Sequence, residues 1–388
     1  MKNPELWKNL WARYEDEDRP HRMLALDGGG IRGLITLGIL ENIESLVAKY
    51  TGGRLCDYFD YIAGTSTGSI IAAGLARGMS VAELIQFYRA SGKEMFEPSA
   101  LLERVKYFYT ADPLKAQLQA VFGEKTNLEP GNLNCLLLVV TKNVTTDSAW
   151  PISSNPEAKY NDLSRKDCNL KIPLWQLVRA STAAPAYFPP EILQWDANDP
   201  SKTFVFVDGG VTPHNNPAFL LYRMATEPAY RLNWKTGEDN LLLVSVGTGA
   251  AESAGATAAA PNRNLFSTVT GLPSELMYGI LVDQDINCRT VGRCSYGAPL
   301  DREILDLVPR READGTVIPL SENQGRKFLY ARYNADLSRE GLNRLGFPQL
   351  DAESMRKMDA VANIEPLLKI GQAAGAHVQA EHFGRLLA

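Results

Sequence analysis

The sequence predicts an α/β protein: a three-layer α/β/α sandwich built on a mostly parallel central sheet. Three observations predict it. Short apolar runs end in glycine turns that open into apolar residues at helical spacing, which is the pattern of a strand, a tight turn and a helix. That unit occurs twice in succession near the N-terminus, as βαβα connectivity requires. Two more apolar runs further on also end in glycine turns. Four strand ends thus carry small flexible turns where open α/β sheets bind their ligands.

The elements follow in order. Residues 1–21 read as a polar leader, charged throughout and without the apolar stretch or cleavage site of a signal peptide. Met23 to Leu26 is a first strand, closed by Asp27 and three glycines. Leu34, Leu37, Leu40, Ile43, Leu46 and Tyr50 then recur at helical spacing. Tyr58 to Ala63 is a second strand, Gly64 to Gly68 a turn, and Ser69 to Leu75 a buried helix. Ser80 and Glu83 form a capping-box pattern for a helix reaching about Ser91. Strands are expected at Cys135 to Thr141, Phe204 to Val207 and Leu241 to Val246, the last two ending in Asp208-Gly209-Gly210 and Gly247-Thr248-Gly249.

Ala250 to Ala260 reads as a mobile loop of small residues, and the apolar region Leu265 to Leu281 as a lid or a surface excursion. Residues 22–318 are expected to form the main domain. Residues 319–388 are expected to be a helical extension packed on it, with Val361, Ile364 and Leu368 on one face and no Gly/Ser/Pro-rich linker before it.

Composition narrows the classes. A chain of 388 residues with 45% hydrophobic content buries a large core, and a net charge of -5 with scattered Lys and Arg argues against nucleic acid as a partner. No apolar stretch is long enough to span a bilayer, so the expectation is a cytoplasmic protein, peripheral at most at the inner membrane surface. Five widely spaced cysteines without a C-x-x-C pair fit a reducing compartment. The four histidines show no zinc-ligand spacing, and neither a metal nor another cofactor is expected.

Three motifs carry chemistry. Gly64-Thr65-Ser66-Thr67-Gly68 is a G-x-S-x-G pattern between strand and helix, where a sharp turn lifts the Ser66 hydroxyl above the sheet edge. Asp27-Gly28-Gly29-Gly30-Ile31-Arg32-Gly33 offers converging backbone amides at a helix start, suited to an oxyanion. Its alternative use is phosphate binding, since Gly28, Gly30 and Gly33 satisfy G-x-G-x-x-G. That use lacks the acidic residue of a dinucleotide fold and the Lys-Ser/Thr of a P-loop. Asp208, at a strand end before two glycines, can be aimed as a general base or can merely cap a turn.

The three motifs in this order resemble the patatin-like phospholipase family, and its bacterial members in particular. The resemblance covers roughly Arg22 to Gly249 and includes Ala183-Ala184-Pro185 and Asn215-Asn216-Pro217. It implies a patatin-like fold and a lipid acyl hydrolase of phospholipase A type, acting on phospholipids or other fatty acyl esters with peripheral membrane contact. It further implies Ser66 as nucleophile, Asp208 as base in a Ser-Asp dyad, and Gly28, Gly29 and Gly30 as the oxyanion hole.

Arg32 has three readings: it steadies that hole, attracts a phosphate headgroup, or pairs with Glu44 or Asp57. Asp27 is expected to accept the turn amides. His214 follows Ser66 and Asp208 in the chain order of a Ser-Asp-His triad, but it lies between Pro213 and two asparagines and reads better as a turn or supporting residue. The alternatives carried forward are a Ser-Asp-His esterase, a nucleotide-regulated phospholipase of bacterial defence, and a phosphate-binding protein with an idle Ser66. Aromatic and proline segments at Met95 to Pro98, Trp150 to Ile152 and Tyr187 to Pro190 either line an acyl pocket or fill the core.

Overall fold

His21–Leu26 (β1) is buried along almost its whole length because it is covered on both faces, as strands inside a parallel sheet are. It lies between Tyr61–Thr65 (β2) and Leu241–Val246 (β7), parallel to both. The computed structural model describes residues 3–16, 18–95, 112–185, 187–196, 198–250, 265–300, 307, 310–311, 317–318 and 325–387.

The other strands are Leu136–Asn143 (β3), Ser148–Ser153 (β4), Glu191–Gln194 (β5), Thr203–Asp208 (β6), Arg293–Tyr296 (β8) and Leu329–Tyr333 (β11). Among the described residues they make one nine-stranded sheet in the order β5-β6-β3-β2-β1-β7-β11-β8, with β4 on β3. Two short strands, Arg310–Arg311 (β9) and Val317–Ile318 (β10), pair antiparallel apart from it. From β3 to β8 along that order every neighbouring pair is parallel, whereas β4, β5 and β6 join antiparallel. The mostly parallel α/β sandwich predicted from the sequence is the fold observed.

One detail of pairing sets the geometry of everything near Ser66. β4 runs along one edge of β3, from Leu138 to Asn143. β2 and β6 therefore share the opposite edge: β2 pairs with Leu136 to Val140, ending at Thr65 opposite Val140, and β6 pairs with Thr141 to Asn143, ending at Asp208 opposite Thr141. The two strands meet head to head over adjacent residues of β3. The four glycine turns converge as expected, but Asp208 arrives from the opposite direction.

Two cores flank the sheet. One is formed with the helices Gly33–Thr51, Thr67–Ala76, Val81–Met95, Leu174–Ser181 and Ile364–Gly375, the third opened by the Ser80–Glu83 capping box. The other gathers Trp7, Leu10, Tyr14, Leu221, Met224, Trp234 and Cys288 against the opposite face.

Two expectations change here. The N-terminal segment read as a polar leader has helical turns at Pro4–Trp7 and Trp11–Tyr14, with Trp7 and Tyr14 fully buried; an apolar stripe of so few residues does not stand out among its charges. The segment from residue 319, read as helical, supplies β11, five buried residues inserted between β7 and β8. The helix Ile364–Gly375 does pack on the main body, with Gln372 donating to Glu41 at 2.7 Å. Leu265 to Leu281 opens the helix Leu265–Val291, and the loop expected at Ala250 to Ala260 lies outside the described residues beyond Ala250. No helix among the described residues is long and apolar enough to cross a membrane, and all five cysteines are buried free thiols.

The N-terminal segment is fastened by a buried charge. Asp60 accepts from Arg13 Nε at 2.9 Å, Arg19 Nη2 at 2.5 Å and the Arg22 amide at 2.8 Å, with His21 at 3.6 Å. Burial alone would raise the Asp60 carboxyl, but His21, Arg13 and Arg19 outweigh it and hold it well below the usual carboxylate range. A depressed carboxylate contributes stability that is present above about pH 4 and is lost as the pH falls further. Asp60→Asn is expected to lower the unfolding free energy by about 3 kcal/mol at pH 7. In urea denaturation the gap between variant and wild type should narrow below about pH 4.

Candidate active site

β2 ends at Thr65, and the chain turns within a single residue into the helix Thr67–Ala76. Ser66 makes that turn with φ 53° and ψ −126°, a backbone region unfavourable to any side chain and frequent at functional sites. The second glycine of the motif is needed for contact: a Cβ on Gly68 would lie 2.3 Å from the Leu26 carbonyl oxygen. The helix start is thereby drawn against the end of β1, beside the glycine-rich loop. Ser66 Oγ donates to Asp208 Oδ2 at 2.6 Å, and this bond crosses the junction between β2 and β6.

Asp208 is 5% exposed. Its second oxygen accepts the Gly210 amide at 2.7 Å, and its own amide donates to the Ala183 carbonyl at 2.9 Å. Burial pushes its carboxyl up to about 6, opposed by the Ser66 hydroxyl, the Gly210 amide and the charge of Arg179. Arg179 is itself fully buried and donates to the Pro189 carbonyl at 2.9 Å. A carboxylate so placed is ionised above about pH 6 and is more basic than an ordinary aspartate. It can take the proton of the hydroxyl bonded to it.

The glycine loop lies against this pair. A Cβ on Gly28 would stand 3.1 Å from Ser66 Cβ and 2.3 Å from Asn215 Oδ1, so Gly28 allows the approach. Its amide donates to the Asn215 carbonyl at 3.0 Å and is occupied. The amides of Gly29 and Gly30 have no protein acceptor among the described residues. Of the three glycines expected to hold an oxyanion, the latter two keep a free donor. Thr248, in the turn after β7, fixes the loop, its hydroxyl donating to the Gly28 carbonyl at 2.9 Å.

Arg32 donates weakly to the carbonyls of Gly29 and Gly249, at 3.4 and 3.3 Å. Burial lowers it to about 10. Neither carboxylate considered for it is its partner: Asp57 pairs with Arg54, and Glu44 accepts the Val81 amide. Asp27 also differs from expectation. Instead of the turn amides it takes Arg332 in a two-pronged bond at 2.9 and 2.5 Å, and Arg332 further donates to Ser245 at 2.7 Å. Burial alone would lower Arg332, but the Asp27 carboxylate outweighs it and keeps the guanidinium charged.

His214 is placed as a turn residue. Its carbonyl accepts the Thr65 hydroxyl at 2.7 Å and its amide donates to Thr212 Oγ1 at 3.2 Å. No hydrogen bond joins its ring to Ser66 or Asp208 among the described residues. Burial, with Arg223 adding to it, lowers the imidazole to about 4. Within the aromatic segments Trp150, partly buried, clusters with Trp195, Phe204 and Phe206, and Ile152 and Phe188 are buried. Phe96 to Pro98 lie outside the described residues.

Two residues at the site were not singled out by sequence, and a third was named only as part of a motif. Ser181 bonds to the Ser66 amide, and Arg332 holds Asp27 from a strand more than 300 positions away, by a separation of 305. Asn215, marked only by its place after Asp208, is buried between Gly28 and Gly210, with its carboxamide unpaired among the described residues. Among those residues no group of three or more His, Cys, Asp or Glu could hold a metal ion.

Fold and site together define a class: a three-layer α/β protein that presents a serine on a strand-to-helix turn, against a glycine loop and a buried carboxylate. The chain belongs to the patatin-like phospholipase family, whose model matches residues 24–222. It is 31% identical over 224 residues to a cGAMP-activated phospholipase of Vibrio cholerae, covering 53% of this chain and 58% of that one. To Patatin-17 of Solanum cardiophyllum it is 30% identical over 243 residues, covering 58% and 60%. To a mouse 85/88 kDa calcium-independent phospholipase A2 it is 30% identical, covering 62% of this chain and 29% of the relative. The chain thus spans less than two thirds of the length of each of these relatives, and Arg332 falls outside the residues that match the family.

Because Asp27 and Arg332 are both buried, removing one leaves the other's charge without compensation. Arg332→Met is expected to lower the unfolding free energy by about 3 to 5 kcal/mol in urea denaturation. A loss as small as that of an exposed ion pair, under about 1 kcal/mol, would show that the pair does not fasten β1 to β11.

Proposed function

We propose that this protein is a lipid acyl hydrolase of phospholipase A type, with Ser66 as nucleophile and Asp208 as its base. The observation that carries the reading is the 2.6 Å bond between Ser66 Oγ and Asp208 Oδ2 on a strained strand-to-helix turn. Membership of the patatin-like phospholipase family supports the substrate class. In the proposed reaction Ser66 Oγ attacks the acyl carbonyl while Asp208 takes its proton. The oxyanion is held by the amides of Gly29 and Gly30. Collapse expels the alcohol, which recovers the proton from Asp208 and leaves an acyl group on Ser66. Water, deprotonated in turn by Asp208, attacks the acyl group, and collapse releases the fatty acid as Asp208 returns the proton to Ser66 Oγ. His214 has no step in this scheme.

Incubation with defined phospholipids and mass spectrometry of the products tests the reading. Wild type should release fatty acid and lysophospholipid. Ser66→Ala and Asp208→Asn should each lose roughly a thousandfold or more in rate while remaining folded. A fluorophosphonate should label wild type and not Ser66→Ala. Since Asp208 must be ionised to accept the proton and burial raises it to about 6, the rate should fall as the pH drops through that value. Substantial hydrolysis by Ser66→Ala would overturn the reading.

A gated form of the same reading is favoured by a second observation. A cavity of about 810 Å³ is lined by Arg289, Arg332, Arg339, Arg344 and Arg356 against the carboxylates of Asp285, Asp336 and Glu340. Arg332 in its wall is the partner of Asp27, which precedes the glycine loop. The Vibrio cholerae relative carries the name of a cGAMP-activated phospholipase. An anionic cyclic dinucleotide in this cavity would act on the loop through Arg332. Adding cGAMP to the purified protein is expected to raise the rate of hydrolysis. Equal rates with and without it would remove the gate and leave the hydrolase reading standing.

A further inference from the structure

The strained backbone of Ser66 has to be held from both sides. On its carboxyl side the Ser66 carbonyl accepts the Ser69 amide at 2.8 Å and the Ser69 hydroxyl at 2.6 Å. On its amino side the Ser66 amide donates to Ser181 Oγ at 2.9 Å, and that hydroxyl donates to the Val140 carbonyl at 2.7 Å. β2 is parallel to β3 and ends with Thr65 opposite Val140. In a continued parallel ladder the Ser66 amide would reach the Val140 carbonyl directly. The Ser181 hydroxyl stands between them.

Ser181 is fully buried at the C-terminus of the helix Leu174–Ser181, so no water competes for its two bonds. Two residues further on, the Ala183 carbonyl accepts the Asp208 amide at 2.9 Å. One short segment therefore holds the main chain of Ser66 and that of Asp208 at the place where β2 and β6 meet on β3.

We propose that Ser181 is the positioning residue of the Ser66–Asp208 pair, its hydroxyl spacing the end of β2 off Val140 and so aiming Ser66 Oγ at Asp208 rather than along the strand. This rests on the Ser-Asp reading given above. The hydroxyl takes no part in bond making. It acts through the Ser66 amide. Without it, Ser66 N–H and Val140 C=O are either left unpaired or close on one another, and in both cases the nucleophile moves relative to its base. A threonine keeps the hydroxyl, and an alanine does not.

The test uses the full chain and a short-chain p-nitrophenyl ester, which needs no membrane. Ser181→Ala is expected to lower kcat by about 10- to 100-fold, the effect of a displacement near 1 Å, with KM within about twofold of wild type. Fluorophosphonate labelling of Ser66 should slow by a similar factor, and Ser181→Thr should restore most of both.

Ser153→Ala is the structural control. Ser153 is buried and bonded to the Tyr61 hydroxyl and the Asn155 amide, on the strand that covers the other edge of β3, so its loss should leave kcat unchanged. Wild-type kcat and labelling in Ser181→Ala would overturn the proposal, as would an equal loss in Ser153→Ala. Ser66→Ala separates the two readings. If it is inactive while Ser181→Ala is fully active, only the positioning role fails; if it still hydrolyses the ester, the Ser-Asp reading fails with it.

Discussion

The edge of β3 that faces β2 is long enough for two partners and is divided between them. β2 leaves it at Val140, and β6 takes it up at Thr141 from the opposite direction. A strand that continued past Thr65 would occupy the place of Asp208. The sharp turn at Ser66 is thus a condition of the sheet as much as a feature of the site: the chain has to leave the sheet plane there for β6 to enter. Burial of Asp208 follows from the same arrangement, because a strand end inside a sheet is walled by its neighbours on every side but the one facing Ser66.

The second constraint is the Asp27–Arg332 pair. It joins the residue that opens the glycine loop to a strand near the C-terminal end of the sheet, across β7, with Ser245 of β7 taking one of the guanidinium's donors. Buried ion pairs of this sort add little net stability compared with apolar packing, yet breaking one is costly. The cost makes the position of the loop dependent on β11 being in place. Residues 24–222, which match the family, contain the loop, the serine and the aspartate, but the loop's anchor lies beyond them.

How much of this was legible in sequence follows from the range of each interaction. Ser66, Gly28 to Gly30 and Asp208 announce themselves because each sits in a local pattern, an apolar run and then a permissive turn. The Ser80–Glu83 cap is local in the same way. The pairing of β6 against β3 was not legible, since a run such as Phe204 to Val207 has the same periodicity in either direction. β11 was missed because Leu329–Tyr333, only five residues long, carries the charged Arg332. That arginine is buried only because Asp27 neutralises it, and no window of neighbouring residues contains both. Ser181 escaped for a related reason: a serine at a helix end is usually a surface residue, and its two partners, the Ser66 amide just past β2 and the Val140 carbonyl in β3, are both distant in sequence.

On the proposed reading, a dyad can dispense with histidine because the sheet changes what the aspartate is. A free aspartate, near 3.9, is too weak a base to draw a proton efficiently from a serine hydroxyl; histidine, near 6.5, is the usual solution. Burial brings Asp208 to about 6, close to the imidazole range, while its bonds to the Gly210 amide and the charge of Arg179 keep it from rising so far that it stays protonated at neutral pH. His214 is moved the other way, to about 4, by the burial that makes it a turn residue, and it is therefore the weaker base of the two. Desolvation acts on both side chains within a few residues of each other and exchanges their ordinary order of basicity. The carboxylate that shares the edge of β3 with the serine is left as the group able to accept its proton.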